Sequence, residues 1–122
     1  MESSHKGKTG LTRVWNAFHY SFEGFKAAYK HEDAFRQEVW MAIVMVPLGF
    51  YLGKTGVERA LLVASVLLVM VIELLNSAVE ATVDRISLEN HRLAKRAKDI
   101  GSAAVLASLI MLAVVWGLVL LG

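Results

Sequence analysis

The chain has 122 residues, which leaves room for one domain, and 56% of them are hydrophobic. It contains no cysteine, which excludes disulfides, and its formal net charge of +2 is too small to indicate a nucleic-acid partner. No charged residue occurs in residues 39–53, 60–72 or 100–122. The last of these runs is long enough to cross a bilayer core of about 30 Å as a helix. The composition therefore predicts an integral membrane protein.

The first part of the chain combines a polar segment with an amphipathic helix. Residues 1–10 are rich in serine, glycine and lysine and are predicted to be flexible. Over residues 11–31, apolar side chains recur at helical spacing, with basic and polar residues on the opposite face. The apolar set is Leu11, Val14, Trp15, Phe18, Phe22, Phe25 and Tyr29. Aromatic residues opposite lysine and arginine predict a helix lying in the membrane interface, although a helix packed on the protein itself would show the same pattern.

The rest of the chain, residues 32–122, is predicted to form one membrane domain with three transmembrane helices. Their expected bounds are about 34–52, 57–87 and 99–121. Pro47 is expected to bend the first of them, which neighbouring helices can tolerate. Residues 53–56 form a glycine-containing turn, and residues 90–98 form a basic connection. The predicted fold class is all-α. Three helices leave little room for an enclosed site, so an oligomer is expected.

The distribution of basic residues predicts how the chain is oriented in the membrane. All 13 lysines and arginines except Lys54 and Arg59 fall at the N-terminal side of the first crossing or around the connection after the second. Basic loops stay in the cytoplasm. The N-terminus and the second loop are therefore predicted to be cytoplasmic, and the C-terminus to lie on the opposite side.

A polar stripe on the second membrane helix is the clearest chemical signal. At about 100° per residue, Glu73, Glu80 and Asp84 fall within about 40° of one another, flanked by Asn76 and Ser77. Glu73 lies about 24 Å along the helix at 1.5 Å per residue, just inside the cytoplasmic edge of the hydrocarbon. Burying such an acid costs roughly 3 kcal/mol even on insertion scales, so a compensating group is expected.

Two chemical roles would explain the stripe. Mg²⁺ takes one or two carboxylates plus substrate phosphates, so Glu80 is a candidate metal ligand. A carboxylate at the edge of a desolvated site, such as Glu73, suits general-base catalysis. The alternative is that Glu73 pairs with a basic residue and only holds helices together.

Two further regions are candidates for the same site. Glu32 precedes the first membrane helix at the level of Glu80 and is a candidate second metal ligand, although acids at helix starts are commonly solvated. Residues 92–99 place four cations opposite the stripe, as triphosphate neutralisation requires, although a basic cytoplasmic loop also satisfies the topology rule alone. The chain has neither a Walker A nor a kinase glycine-rich loop. The residues alone indicate a metal-competent acidic site and do not identify ATP.

These residues resemble a known signature. The matching run is Glu73-x-x-Asn76-Ser77-Ala78-x-Glu80-x-x-x-Asp84, followed by Ala97-Lys98-Asp99. It resembles the signature of prokaryotic diacylglycerol kinases. The likeness extends to the amphipathic N-terminal helix, the three crossings, the total length and the segment Glu32-x-x-Phe35-Arg36-Gln37-Glu38.

The resemblance implies a reaction, an assembly and a role for each residue. The reaction is ATP-dependent phosphorylation of diacylglycerol to phosphatidic acid, assisted by Mg²⁺, at the cytoplasmic face of the bacterial inner membrane. The assembly is a homotrimer whose active sites are shared between subunits. Glu73 would be the catalytic base, Glu32 and Glu80 the metal ligands, and Asn76 and Asp84 supporting residues. The implied nucleotide contacts are Arg13, Tyr20, Glu32, Asn76, Glu80, His91, Lys98 and Asp99. The implied lipid contacts are Arg13, Ala17, Phe35, Arg36, Gln37, Glu38, Glu73 and Ser102.

Two other functions fit parts of the sequence. An undecaprenol kinase of the same family would share the stripe, but Arg85 after Asp84 and the segment 97–105 favour the diacylglycerol form. The aromatic segment 15–19 and Pro47 depart from the family pattern where lipid would touch, which leaves acyl preference open. A non-enzymatic oligomeric channel or assembly protein would also carry an acidic stripe. A pore favours polar residues along the whole helix, whereas residues 60–72 carry no charge.

Overall fold

The structure, a computed structural model, describes residues 10–86 and 92–122, and these ranges form four α-helices. The helices are α1 (Gly10–His31), α2 (Asp33–Leu52), α3 (Gly56–Ile86) and α4 (Arg92–Leu121). The described residues contain no β-strand, so the predicted all-α fold class is confirmed. The flexibility predicted for residues 1–10 lies outside the described residues except at Gly10, and the role predicted for His91 lies outside them as well.

Helix α4 begins earlier than the sequence analysis predicted. The helix starts at Arg92 rather than near Asp99, so most of the expected basic connection is helical. Leucine, alanine, lysine and arginine are strong helix formers, and Lys95 pairs with Asp99 one turn later at 2.8 Å. The prediction placed too much weight on charge, which marks a membrane boundary but does not end a helix.

A single residue, Glu32, separates α1 from α2, and hydrogen bonds from Arg36 stabilise this junction. Glu32 has extended backbone angles of φ −118° and ψ 110°. The Arg36 guanidinium donates to the carbonyl oxygens of Tyr29 at 2.6 Å and Lys30 at 3.0 Å, and it also pairs with Asp33. It therefore satisfies carbonyl groups that the end of α1 leaves without helical partners. This contact fixes where Glu32 leaves the first helix.

The turn between α2 and α3 is closed by local caps. Thr55 Oγ1 accepts from the backbone N–H of Glu58 at 3.1 Å, and Arg59 Nε donates to the carbonyl oxygen of Phe50 at 3.1 Å. A Cβ atom at Gly53 would lie 2.6 Å from Arg59 Cγ, so the turn needs a glycine there. The two helices are consequently held as a tight antiparallel pair.

Helix α3 is the centre of the fold, since it contacts both α2 and α4. Its side chains Leu62, Val66 and Val69 are fully buried. The Trp116 indole N–H on α4 donates to the Leu62 carbonyl oxygen at 3.1 Å. A Cβ atom at Gly49 on α2 would lie 3.1 Å from Leu62 Cβ, so glycine allows α2 to approach α3 closely. Helix α1 contacts α2 and buries only one residue.

Two helices, α3 and α4, are long and apolar enough to cross a membrane by length and composition. The mean hydropathy of their most apolar windows is 2.3 and 2.7, and only 28% and 11% of those windows is buried inside the protein. Such exposure is unlike the core helix of a soluble protein. Helix α2 does not meet the same test among the described residues. The structure thus supports two membrane spans, and a third crossing by α2 stays a prediction.

Candidate active site

Two buried carboxyl groups face each other between α2 and α3. Glu38 is 9% exposed and Glu73 is 5% exposed, and their carboxyl groups are close enough to interact directly. Glu32 and Glu80 are also near enough to act electrostatically on Glu73. Glu32, Glu38, Glu73 and Glu80, from the α1–α2 junction, α2 and α3, are therefore grouped as an acid cluster around Glu73. Like charges at this distance from water repel one another, so protons or a cation must offset the repulsion.

Three of the predicted site acids influence one another. Glu32 and Glu80 both act electrostatically on Glu73, and the metal-binding and catalytic roles of the three stay predictions. No lysine or arginine in residues 10–86 and 92–122 forms an ion pair with Glu73, so these residues give no support to a purely structural pairing. In the described part of the chain, the side chain that Glu73 contacts across on α2 is another acid, Glu38, and not a basic residue.

Glu38 belongs to the acid cluster, which the sequence analysis did not foresee. The family resemblance alone had placed Glu38 on the lipid-contacting surface. Helical spacing carried the missing signal, because Phe35, Glu38 and Ala42 lie on one face of α2, and all three are buried. An acid on the buried face of an apolar helix requires a polar neighbour, and α3 provides one in Glu73.

Asn76 lies one turn from Glu80 on the same face of α3. Its Nδ2 faces Glu80 Oε2 at 3.5 Å, a long donor contact. Its Oδ1 is buried and has no hydrogen-bond partner among the described residues. The supporting role predicted for Asn76 stays a prediction, and its unpaired oxygen calls for an explanation.

An ion pair joins α3 to α4 at the end of the stripe. Lys98 Nζ lies 2.6 Å from Asp84 Oδ1, and both side chains remain partly exposed. Asp99, another predicted nucleotide contact, instead pairs with Lys95 on the same helix. The pair with Asp84 places the Lys98 ammonium group at the end of the acidic stripe, and its predicted contact with a nucleotide stays a prediction.

The residues on the first half of α1 that were predicted to contact ligands lie apart from the acid cluster within a single chain. Arg13, Ala17 and Tyr20 are exposed, and none of them makes a hydrogen bond or ion pair within the described ranges. Gln37 and Ser102 are exposed as well. Phe35 is buried, with 2% of its surface exposed. The ligand contacts proposed for these residues stay predictions.

Two grooves lie beside α1, and Phe25 lines both. One, of about 550 Å³, lies between α1 and α3 and has Glu32 in its wall. The other, of about 520 Å³, is lined by Phe35, Val39 and Met70, with Lys26 and Lys30 among its α1 residues. The second groove is therefore mainly apolar, with two amines on its α1 side.

The acids fit a magnesium ion that arrives with a substrate. In the part of the chain that the structure describes, no group of three or more His, Asp or Glu side chains is arranged to hold a metal by itself. Mg²⁺ commonly takes one or two carboxylates and completes its shell with water and substrate phosphates. The hard oxygen atoms of Glu32 and Glu80 match that requirement.

Comparison with known proteins gives consistent matches over nearly the whole chain. A family model described as prokaryotic diacylglycerol kinase matches residues 19–120. The diacylglycerol kinase of Pseudomonas aeruginosa is 52% identical over 120 residues, which are 98% of each chain. That of Haemophilus influenzae is 53% identical over 109 residues, covering 89% of this chain and 92% of the relative. That of Escherichia coli K12 is 47% identical over 112 residues, 92% of each.

Proposed function

Since the chain belongs to the prokaryotic diacylglycerol kinase family, we propose that it transfers the γ-phosphate of ATP to the free hydroxyl of diacylglycerol and forms phosphatidic acid. Family membership confirms the predicted resemblance and the prediction that the chain is an enzyme of the diacylglycerol kinase class. The observation that carries the proposal is the burial of Glu73 among three further acids. Such a cluster is suited to bind a cation and to accept a proton.

Glu73 is the group proposed to act on the lipid hydroxyl. Its carboxylate lies on the buried side of α3, away from bulk water. As a general base it takes the hydroxyl proton while the oxygen attacks the γ-phosphorus, so one P–O bond forms as the bond to ADP breaks. Glu38 holds Glu73 from the α2 side. Phosphoryl transfer depends mainly on positioning and charge stabilisation, and the groove between α1 and α3 has Glu32 in its wall.

Glu32 and Glu80 are proposed to hold magnesium together with the nucleotide phosphates. When bound, the ion neutralises charge on the phosphates during transfer. Asn76 orients Glu80. Lys98, held by Asp84, adds positive charge at the cytoplasmic end of the stripe. Arg13, Tyr20, His91 and Asp99 are proposed as further nucleotide contacts. The proposed lipid contacts are Arg13, Ala17, Phe35, Arg36, Gln37, Glu38 and Ser102.

We propose that the enzyme works in the bacterial inner membrane as a homotrimer with shared active sites. Two spans are supported by α3 and α4, and α2 is proposed as the third. The basic ends of the helices favour a cytoplasmic N-terminus and second loop and a periplasmic C-terminus. Sharing of sites would bring the exposed α1 residues of one chain to the acids of another. It would also bury apolar side chains of α1 that are exposed in a single chain.

Phosphate transfer by the purified protein in mixed micelles tests the proposed reaction. Labelled Mg-ATP is supplied with diacylglycerol or, in parallel, undecaprenol, and each lipid is also assayed without magnesium. We expect diacylglycerol to be labelled, undecaprenol to be a poor acceptor and omission of magnesium to abolish labelling. Labelling of undecaprenol alone would overturn the proposed lipid. If folded protein labels neither lipid, the proposed kinase reaction is wrong.

A further inference from the structure

Gly101 on α4 lies directly against the side chain of Asn76 on α3. A Cβ atom at position 101 would overlap Asn76 Oδ1 and would lie 3.1 Å from Asn76 Cγ. Gly117, on the same helix, faces open space, with no atom within 4 Å of the corresponding position. The absence of a side chain at position 101 thus creates the space that the amide occupies, whereas glycine at position 117 has no such consequence.

The Asn76 amide points its Nδ2 at Glu80 and leaves its Oδ1 beside Gly101. Its buried Oδ1 has no partner among the described residues, and its Nδ2 faces Glu80 Oε2. A carboxylate only accepts hydrogen bonds, so only the Nδ2 end of the amide can bind Glu80. Leaving a buried acceptor unpaired is unfavourable, so the contact with Glu80 has to offset that cost. The amide can keep this orientation only because position 101 has no side chain to displace Oδ1.

We infer that Gly101 is a positioning residue, which holds the Asn76 amide so that Nδ2 donates to Glu80. An amide bonded to one carboxylate oxygen fixes the rotation of that carboxylate and leaves its other oxygen free for a cation. The consequence for activity rests on the proposed function, in which Glu80 binds magnesium with the nucleotide. The geometric part concerns only Gly101, Asn76 and Glu80, and it can be tested without turnover.

A methyl group at position 101 should displace Asn76 and leave the helices in place. The overlapping atom is at the end of a side chain that can rotate, so Gly101→Ala is accommodated by turning the amide away from Glu80. Loss of one hydrogen bond to a charged group corresponds to roughly a tenfold effect. We expect the KM for Mg-ATP to rise about tenfold, the kcat to change less, and the thermal unfolding midpoint to change little.

The geometric part is tested by nuclear magnetic resonance of protein labelled with ¹⁵N-asparagine. The chain contains only three asparagines, Asn16, Asn76 and Asn90, and Asn76→Ser identifies the relevant side-chain signal. In the parent and in Gly117→Ala, Glu80→Gln should shift the Asn76 amide signal. In Gly101→Ala, that signal should already be displaced and should no longer respond to Glu80→Gln. An unchanged response in Gly101→Ala would overturn the inference.

A double-mutant cycle separates positioning of Asn76 from helix packing. Gly101→Ala is measured in the parent and in the Asn76→Ser background, with KM for Mg-ATP, kcat and unfolding midpoint as readouts. We expect the effect of Gly101→Ala to disappear once Asn76 is shortened. An equal loss in both backgrounds, or unfolding that Asn76→Ser does not relieve, would mean that Gly101 serves packing and would overturn the inference. A parent without kinase activity would contradict the proposed function, and the spectroscopic result would still decide the geometric claim.

Discussion

At the scale of single residues, the environment of a carboxylate decides its role. The chain has 11 acidic residues, and four of the described ones, Glu23, Asp33, Asp84 and Asp99, are exposed and pair with a cation. Glu38 and Glu73 differ because both are buried and they face each other. Burial of two carboxyl groups side by side is energetically unfavourable unless a proton or a cation offsets it, and such acids are common at functional sites. Their burial therefore separates Glu38 and Glu73 from the other described acids more clearly than their positions in the sequence do.

Replacement of Glu38 tests whether it serves catalysis or lipid binding. Glu38→Gln keeps the shape of the side chain and removes the charge that faces Glu73. We expect kcat to fall about tenfold or more, the size of losing one charged interaction, with KM for diacylglycerol nearly unchanged. Steady-state kinetics in mixed micelles provide both constants. A rise in KM for diacylglycerol at unchanged kcat would instead support the lipid contact implied by the resemblance.

At the scale of helices, α3 organises the molecule through close approaches and hydrogen bonds. Gly49 lets α2 pack closely against α3, and the Trp116 indole N–H on α4 donates to the Leu62 carbonyl oxygen on α3. The sequence predicted the acidic face of α3 well, because helical periodicity alone places Glu73, Glu80 and Asp84 together. The spacing of Phe35, Glu38 and Ala42 also marks one face of α2 as buried. Which residue of α3 that face meets depends on tertiary packing, so the contact between Glu38 and Glu73 could not be predicted.

The Trp116 hydrogen bond should contribute measurably to stability. Trp116→Phe keeps an aromatic ring between α3 and α4 but removes the N–H that donates to Leu62. We expect the free energy of unfolding to fall by about 1 kcal/mol or slightly more, since the carbonyl oxygen keeps its helical partner and one bond is lost. Trp40→Phe is the matched control, because Trp40 is 60% exposed. Equal effects of the two changes on unfolding in detergent would show that the bond contributes nothing.

At the scale of the whole molecule, α1 stands apart from the other helices. It buries only Ala28, and its aromatic residues remain largely exposed. An exposed apolar surface of this extent marks a contact with a membrane or with another protein chain. The all-α fold and the apolar spans followed from composition and length. The position of α1 did not, because one amphipathic pattern serves an interfacial helix and a helix packed between subunits equally well.

Fluorescence quenching should locate α1 relative to the bilayer. Trp15 is 64% exposed on α1, and a variant carrying Trp40→Phe and Trp116→Phe leaves it as the only tryptophan among the three in the chain. If α1 lies in the interface, lipids brominated near the headgroup should quench Trp15 strongly, and lipids brominated at the chain end should quench it weakly. Absence of quenching by either lipid would place this face against protein instead.

The central claim is that Glu73, buried within an acid cluster, acts as the base in lipid phosphorylation. The most direct measurement is the kcat for diacylglycerol phosphorylation by Glu73→Gln, beside Glu23→Gln, which neutralises an exposed acid on α1. General-base catalysis contributes about 10²- to 10⁴-fold, so we predict a fall of at least a hundredfold for Glu73→Gln and parental activity for Glu23→Gln. A folded Glu73→Gln protein with a kcat close to that of the parent would contradict the account.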